Sequence, residues 1–187
     1  MKHSNFKVAG WAAAVAVIAF VVEVIVTFMS GIPAYSTAIS PILAALVLAI
    51  HIAFGSYAIY CLRAFLNERY DFHATDSLIP MLVAGGIVFG LALISSRLFL
   101  GPTLSMVITF SLGIPLGVIS ILFGYRLLSV NGTIGGYKKP FAYSHIIAPL
   151  CFFSVVLAPI GLVLLIAAET LLVLVFFSNE SPELEFV

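Results

Sequence analysis

The sequence predicts an all-α integral membrane protein: a single domain in which five transmembrane helices form a bundle. Three observations carry this reading. Of 187 residues, 63% are hydrophobic and only 9% charged, whereas a soluble domain carries about 25% charged residues. The mean hydropathy of +1.23 leaves too little polarity for a water-facing shell. The apolar residues also fall into runs long enough to cross a hydrocarbon core of ~30 Å at 1.5 Å per helical residue.

The first span is read at residues 8–29, after a short basic start. It is longer than the ~7–15-residue apolar core of a cleaved leader, so it is read as uncleaved. Gly31-Ile32-Pro33 ends it. The second span covers residues 42–66 and opens at Pro41, at a position where the missing N–H would be unpaired anyway. The most charged stretch, residues 63–76, follows. The third span, residues 77–99, has Asp76 or Ser77 as its N-cap. The fourth, residues 103–130, is expected to bend at Pro115. The apolar stretch 143–178 would reach ~54 Å as one helix. Its first turns, before Pro149, are therefore placed at the interface. The fifth span is set at residues 147–178 with a kink at Pro159, followed by an acidic tail at 179–187.

Small residues matter in lipid because they let backbones approach where no hydrophobic force joins helices. Gly86 with Gly90, and Gly113 with Gly117, give spans three and four a packing face of this kind. Gly113, Pro115 and Gly117 together form a candidate hinge.

Orientation follows from the basic residues. A cytoplasmic N-terminus puts Lys2, Lys7, Arg63, Arg69, Arg126, Lys138 and Lys139 inside and only Arg97 outside, as the positive-inside rule favours. Five spans then put the C-terminus outside, and the expected location is a cell membrane, inner or plasma. Residues 72–80 can be laid on residues 141–149, with Phe, Thr/Ser, an aliphatic residue and Pro coinciding. The alignment suggests a parallel repeat of helix pairs 2–3 and 4–5; two ordinary helix starts would share the same features.

The balance of eight basic and eight acidic residues offers no basic face for nucleic acid. Cys61 and Cys151 are expected near cytoplasmic span ends, as reduced thiols. They make neither a disulfide framework nor a metal signature. The expected partner is the lipid bilayer, with other membrane subunits or a second copy of the chain as further candidates. No cofactor or metal is implied.

Ionisable groups inside a span cost about 2.5–3.5 kcal/mol each on insertion scales. Glu23, His51 and Glu169 lie ~12–15 Å below the outer ends of three different spans. With Arg97 on the same side, and hydroxyls at Thr27, Ser95, Ser96, Ser105 and Thr109, they outline a polar site in the outer half of the bundle. Such a site suits a proton, a cation or a small polar ligand. An arrangement without function is also open: Arg97 paired with one Glu, His51 on a backbone carbonyl, and the other Glu neutral. Asp76 and His145 occupy matching positions of the repeat and form a candidate inner-face pair, or two ordinary helix-start residues. His51 at mid-span and His145 at the inner boundary are too far apart in depth to share a haem iron. The glycine-rich loop 132–139 lacks the following helix start that a phosphate cradle needs. Neither His-Glu-x-x-His nor Gly-x-Ser-x-Gly occurs, so no enzyme class is indicated. Two functions follow: transport of a proton, cation or small polar solute, or a non-catalytic subunit or assembly factor of a larger membrane complex.

Overall fold

The computed structural model describes residues 6–30, 40–99, 102–132 and 134–178. Among them are six α-helices: α1 (Lys7–Ser30), α2 (Pro41–Tyr70), α3 (Leu78–Phe99), α4 (Pro102–Leu127), α5 (Lys138–Phe153) and α6 (Ala158–Ser178). Five of these, all but α5, are long and apolar enough to cross a membrane. Large apolar side chains such as Trp11, Ile18, Phe28, Ile42 and Val163 are exposed on the outside. Such a surface is soluble only in lipid.

Local chemistry sets the helix ends. Ser40 is extended (φ −67°, ψ 128°) and Pro41 starts α2. At the other end Asp71 turns left-handed (φ 48°), its N–H donating to Asn67 O and that of Phe72 to Leu66 O. The Asp71 bond is the 5→1 closure of an αL end, with Asp in place of Gly. α4 continues through Pro115.

The apolar stretch after Lys138 differs from the single long span expected. α5 begins at Lys138 and runs through Pro149 to Phe153. Ser154 is then extended, a 3-10 turn covers Val155–Leu157, and α6 starts at Ala158. Pro159 therefore occupies the first turn of a helix, where proline costs nothing, and kinks no span.

Contacts at glycines fix the directions. Gly124 of α4 faces Ala142 and His145 of α5, and Gly117 faces Pro149 and Phe153, so α4 and α5 are antiparallel. Gly161 faces Ala148 and Cys151, so α6 runs back along α5. The end of α6 reaches the start of α1: Phe176 stacks on Phe6 at 6.3 Å, and Phe177 meets Trp11 edge-on at 5.5 Å.

The six helices thus alternate in direction and close into a ring. Each packs on its neighbour in sequence, and α6 packs on α1. The reversal at 154–157 brings the start of α1 and the end of α6 to one end of the bundle. The loops after α2 and α4 lie at that end as well. Cys151, set near an inner span end by the sequence, sits instead close to the α5–α6 reversal; both cysteines are free thiols.

An aromatic plug closes this end. Phe6, Phe65, Phe123, Phe141 and Phe176 are buried together with the aliphatic residues around them. Phe65 meets Phe6 and Phe176 edge-on at 5.3 and 5.8 Å. Segments 72–80 and 141–149 differ in structure, since the first is mostly the link before α3 and the second lies inside α5. Local structure therefore adds nothing to their alignment.

Candidate functional site

A ring of helices leaves its centre open wherever the inward residues are small. Here Ala13, Ala16, Gly55, Gly86, Gly113 and Ala168 face inward, and a cavity of about 590 Å³ lies above the aromatic plug, touched by all six helices. Its wall is mostly apolar.

The glycines divide into two kinds. A β-carbon at Gly86 would meet nothing within 4 Å, and one at Gly113 would meet only Phe89 at 3.8 Å. These two widen the cavity and do not serve as helix-packing contacts, contrary to expectation. Gly90 is pressed against Ile52, and Gly117 against Phe153 and Pro149 at 3.0 and 3.2 Å. Those two do pack helices closely.

The polar groups on the wall are His51, Ser56, Thr109, Ser120, His145 and Glu169. His51 is held on three sides. Its Nδ1 lies 3.2 Å from the Ala16 carbonyl, its ring stacks on Phe20 at 4.9 Å, and its Nε2 lies 3.5 Å from Glu169 Oε1. The carbonyl can only accept, so Nδ1 carries a hydrogen and Nε2 is left to share a proton with the carboxylate. Glu169 Oε2 is buried and has no hydrogen-bond partner among the described residues. Glu23 is buried on α1, within electrostatic reach of Glu169 but not on the cavity wall.

Two of the three residues expected at one level are therefore brought together, with the third close by. Glu169 lies near the middle of α6 and His51 in the first half of α2. α6 runs opposite to the direction expected, but Glu169 lies near its middle, so the reversal barely changes its depth.

The remaining candidates separate. The side chains of Arg97 and Ser105 lie outside those described. Thr27 and Ser95 are exposed, and the Ser96 hydroxyl donates to Leu93 O of its own helix. Of the four described hydroxyls, Thr109 alone lines the cavity.

Asp76 and His145 do not meet. Asp76 accepts from Arg63 Nε at 2.8 Å, from Asn67 Nδ2 at 2.9 Å and from His73 Nδ1 at 2.9 Å, which ties the end of α2 to the start of α3. These bonds hold its carboxylate among Arg63, Asn67 and His73. They lower its pKa to about 2, the Arg63 bond first. The same Asp76 bond raises the pKa of His73.

His145 lies within α5, on the cavity. The Ser120 hydroxyl donates to the His145 carbonyl at 3.1 Å, so His145 Nδ1–H donates to Ser120 Oγ at 3.0 Å. Phe123 and Phe141 stand edge-on to the imidazole at 5.0 and 4.9 Å. Both histidines thus line one cavity, His51 beside Ala16 and His145 at the end closed by Phe123 and Phe141. The Ser120–His145 pair was missed because Ser120 was not weighed among the costly groups of span four. No group of three or more His, Cys, Asp or Glu suited to a metal occurs among the described residues.

No family model, curated protein or solved structure matches the chain.

Proposed function

We propose that this multi-pass membrane protein moves protons, alone or together with a small solute, by way of the His51–Glu169 pair on its central cavity. One observation carries the reading: a carboxylate and an imidazole from different helices meet on the wall of a cavity large enough for a ligand. Such cavities, mostly apolar with a few convergent polar groups, are the usual form of a small-molecule site at roughly 300–1,000 Å³. A pair serving structure alone would satisfy both carboxylate oxygens, because an unsatisfied buried acceptor costs about 1–3 kcal/mol. Glu169 Oε2 is left without a partner among the described residues. The apolar wall shifts the solute away from the small polar class that composition suggested.

The test is dissipation of a pH gradient across liposomes carrying the protein, followed with an enclosed pH dye. The wild type should collapse the gradient faster than protein-free liposomes, and Glu169→Gln should match the protein-free rate. No acceleration by the wild type, or equal acceleration by Glu169→Gln, would overturn the proposal.

A further inference from the structure

We propose that the cavity binds a lipophilic organic cation, a bulky amine or onium ion, in exchange for the proton shared by His51 and Glu169. This deepens the reading above and rests on it.

Three features select the charge and shape of the ligand. The first is the aromatic wall: Phe20, Phe89, Phe110, Phe141, Phe152 and Phe153 all line the space. Ring faces attract cations, most of all where water is excluded. The second is the charge on that wall. Glu169 stands on it with a buried oxygen lacking a hydrogen-bond partner among the described residues, Glu23 lies within electrostatic reach, and no Lys or Arg among the described side chains lines the cavity. An anion would meet no described cationic side chain there. The third is the shortage of oxygens. A small inorganic cation needs about six oxygen ligands, and a wall this apolar does not supply them. A neutral apolar molecule would leave Glu169 Oε2 without a partner. A bulky cation answers all three conditions, and the space in front of Gly86 and Gly113 gives it room.

The titratable groups around Glu169 define the exchange. His51 faces it from α2 and Glu23 acts on it from α1, while α5 contributes His145 to the same cavity. With the proton in place, the His51–Glu169 pair is neutral overall. When the proton leaves to water, the pair carries one negative charge and the cation replaces it. One proton leaves for each cation bound, so binding tightens as pH rises, by up to about tenfold per pH unit where the pair titrates.

The experiment is equilibrium binding of radiolabelled tetraphenylphosphonium to the purified protein in lipid nanodiscs at several pH values. Tetraphenylborate, an anion of the same shape, serves as the control for simple partitioning. Saturable phosphonium binding that strengthens with pH is expected, with at least a tenfold loss in Glu169→Gln. Gly86→Leu should also lose at least tenfold, by occupying the cavity while leaving the pair in place. It keeps the test decisive if Glu169→Gln fails to fold. Equal binding of the borate, binding independent of pH, or full binding by a folded Gly86→Leu variant would overturn the proposal. Absence of phosphonium binding by a protein that still collapses the pH gradient would overturn this inference alone; loss of both would overturn the proton reading as well.

Discussion

His51 of α2 and Glu169 of α6 meet at 3.5 Å although their helices do not pack on each other. Both helices pack on α1, and the two side chains span the gap left between them. The contact is therefore a strap across the ring and not part of a seam between neighbours. Removing one partner leaves the other partly buried with less to bond. His51→Ala should destabilise the protein, whereas Glu169→Gln keeps shape and a hydrogen-bonding group and should cost less. The double variant should show a coupling of about 0.5–3 kcal/mol, the range for residues in direct contact. Denaturant titration of the four proteins in mixed micelles measures it, and strictly additive losses would show that the strap carries no energy.

The glycines should respond to substitution in opposite ways. A β-carbon at Gly124 would stand 2.6 Å from the Ala142 carbonyl oxygen, a backbone atom that cannot turn aside. Gly124→Ala must then push α4 away from α5, at about 1–3 kcal/mol for a forced core contact. Gly86→Ala adds its methyl to open space and should leave the melting temperature unchanged or slightly raised, since Ala favours helix over Gly by about 0.8–1.0 kcal/mol. Thermal unfolding in one detergent gives the contrast directly.

The sequence made the first four helices legible because their ends carry recognisable chemistry: Pro41 at a helix start, and a charged link between Arg63 and Asp76. The reversal at 154–157 was not legible. Apart from Ser154 it is built from apolar residues, with no Gly, Asn or Asp to signal a turn, so it disappears into the hydrophobic run. Pro149 and Pro159 misled in the same place, one lying inside α5 and the other opening α6. A helix starting at Lys138 also carries residue 145 two turns towards the cavity. Gly86 and Gly90 share a spacing but not a role, since spacing shows which residues lie on one stripe and not whether a neighbour fills the space before them. His51 and Glu169 were found because insertion cost depends on depth, and depth at mid-helix is insensitive to direction.

The link between α2 and α3 should depend on pH from both sides. Asp76 has its pKa lowered to about 2 from an ordinary 3.8 by bonds that Arg63, Asn67 and His73 donate. Its contribution is complete above pH 3.8 and is lost as pH falls towards 2. His73 has its pKa raised above 6.5 by the bond to Asp76. Its contribution is complete below pH 6.5 and is lost as pH rises through the raised value. The link is therefore tightest between roughly pH 4 and 6.5. Amide exchange of residues 72–79, corrected for intrinsic rates, should be slowest in that window. Asp76→Asn should flatten the acid limb and weaken the alkaline one, where Asp71 also holds His73 at 3.4 Å.

The termini offer the sharpest test of the six-helix ring. Phe6 stacks on Phe176 and Trp11 meets Phe177, so the first turns of α1 and the last turns of α6 share one end of the bundle. Six helices of alternating direction return the end of α6 to the start of α1. Lys7, Arg63, Arg69, Arg126, Lys138 and Lys139 lie at or near that same end, and basic residues favour the cytoplasmic face. A fluorescent protein that matures only in the cytoplasm should therefore light up when fused before Met1 and also when fused after Val187. An enzyme reporter active only outside the cytoplasm should be silent at both positions. Opposite results at the two ends would require α5 and α6 to make a single crossing, and the Phe6–Phe176 contact would then be lost.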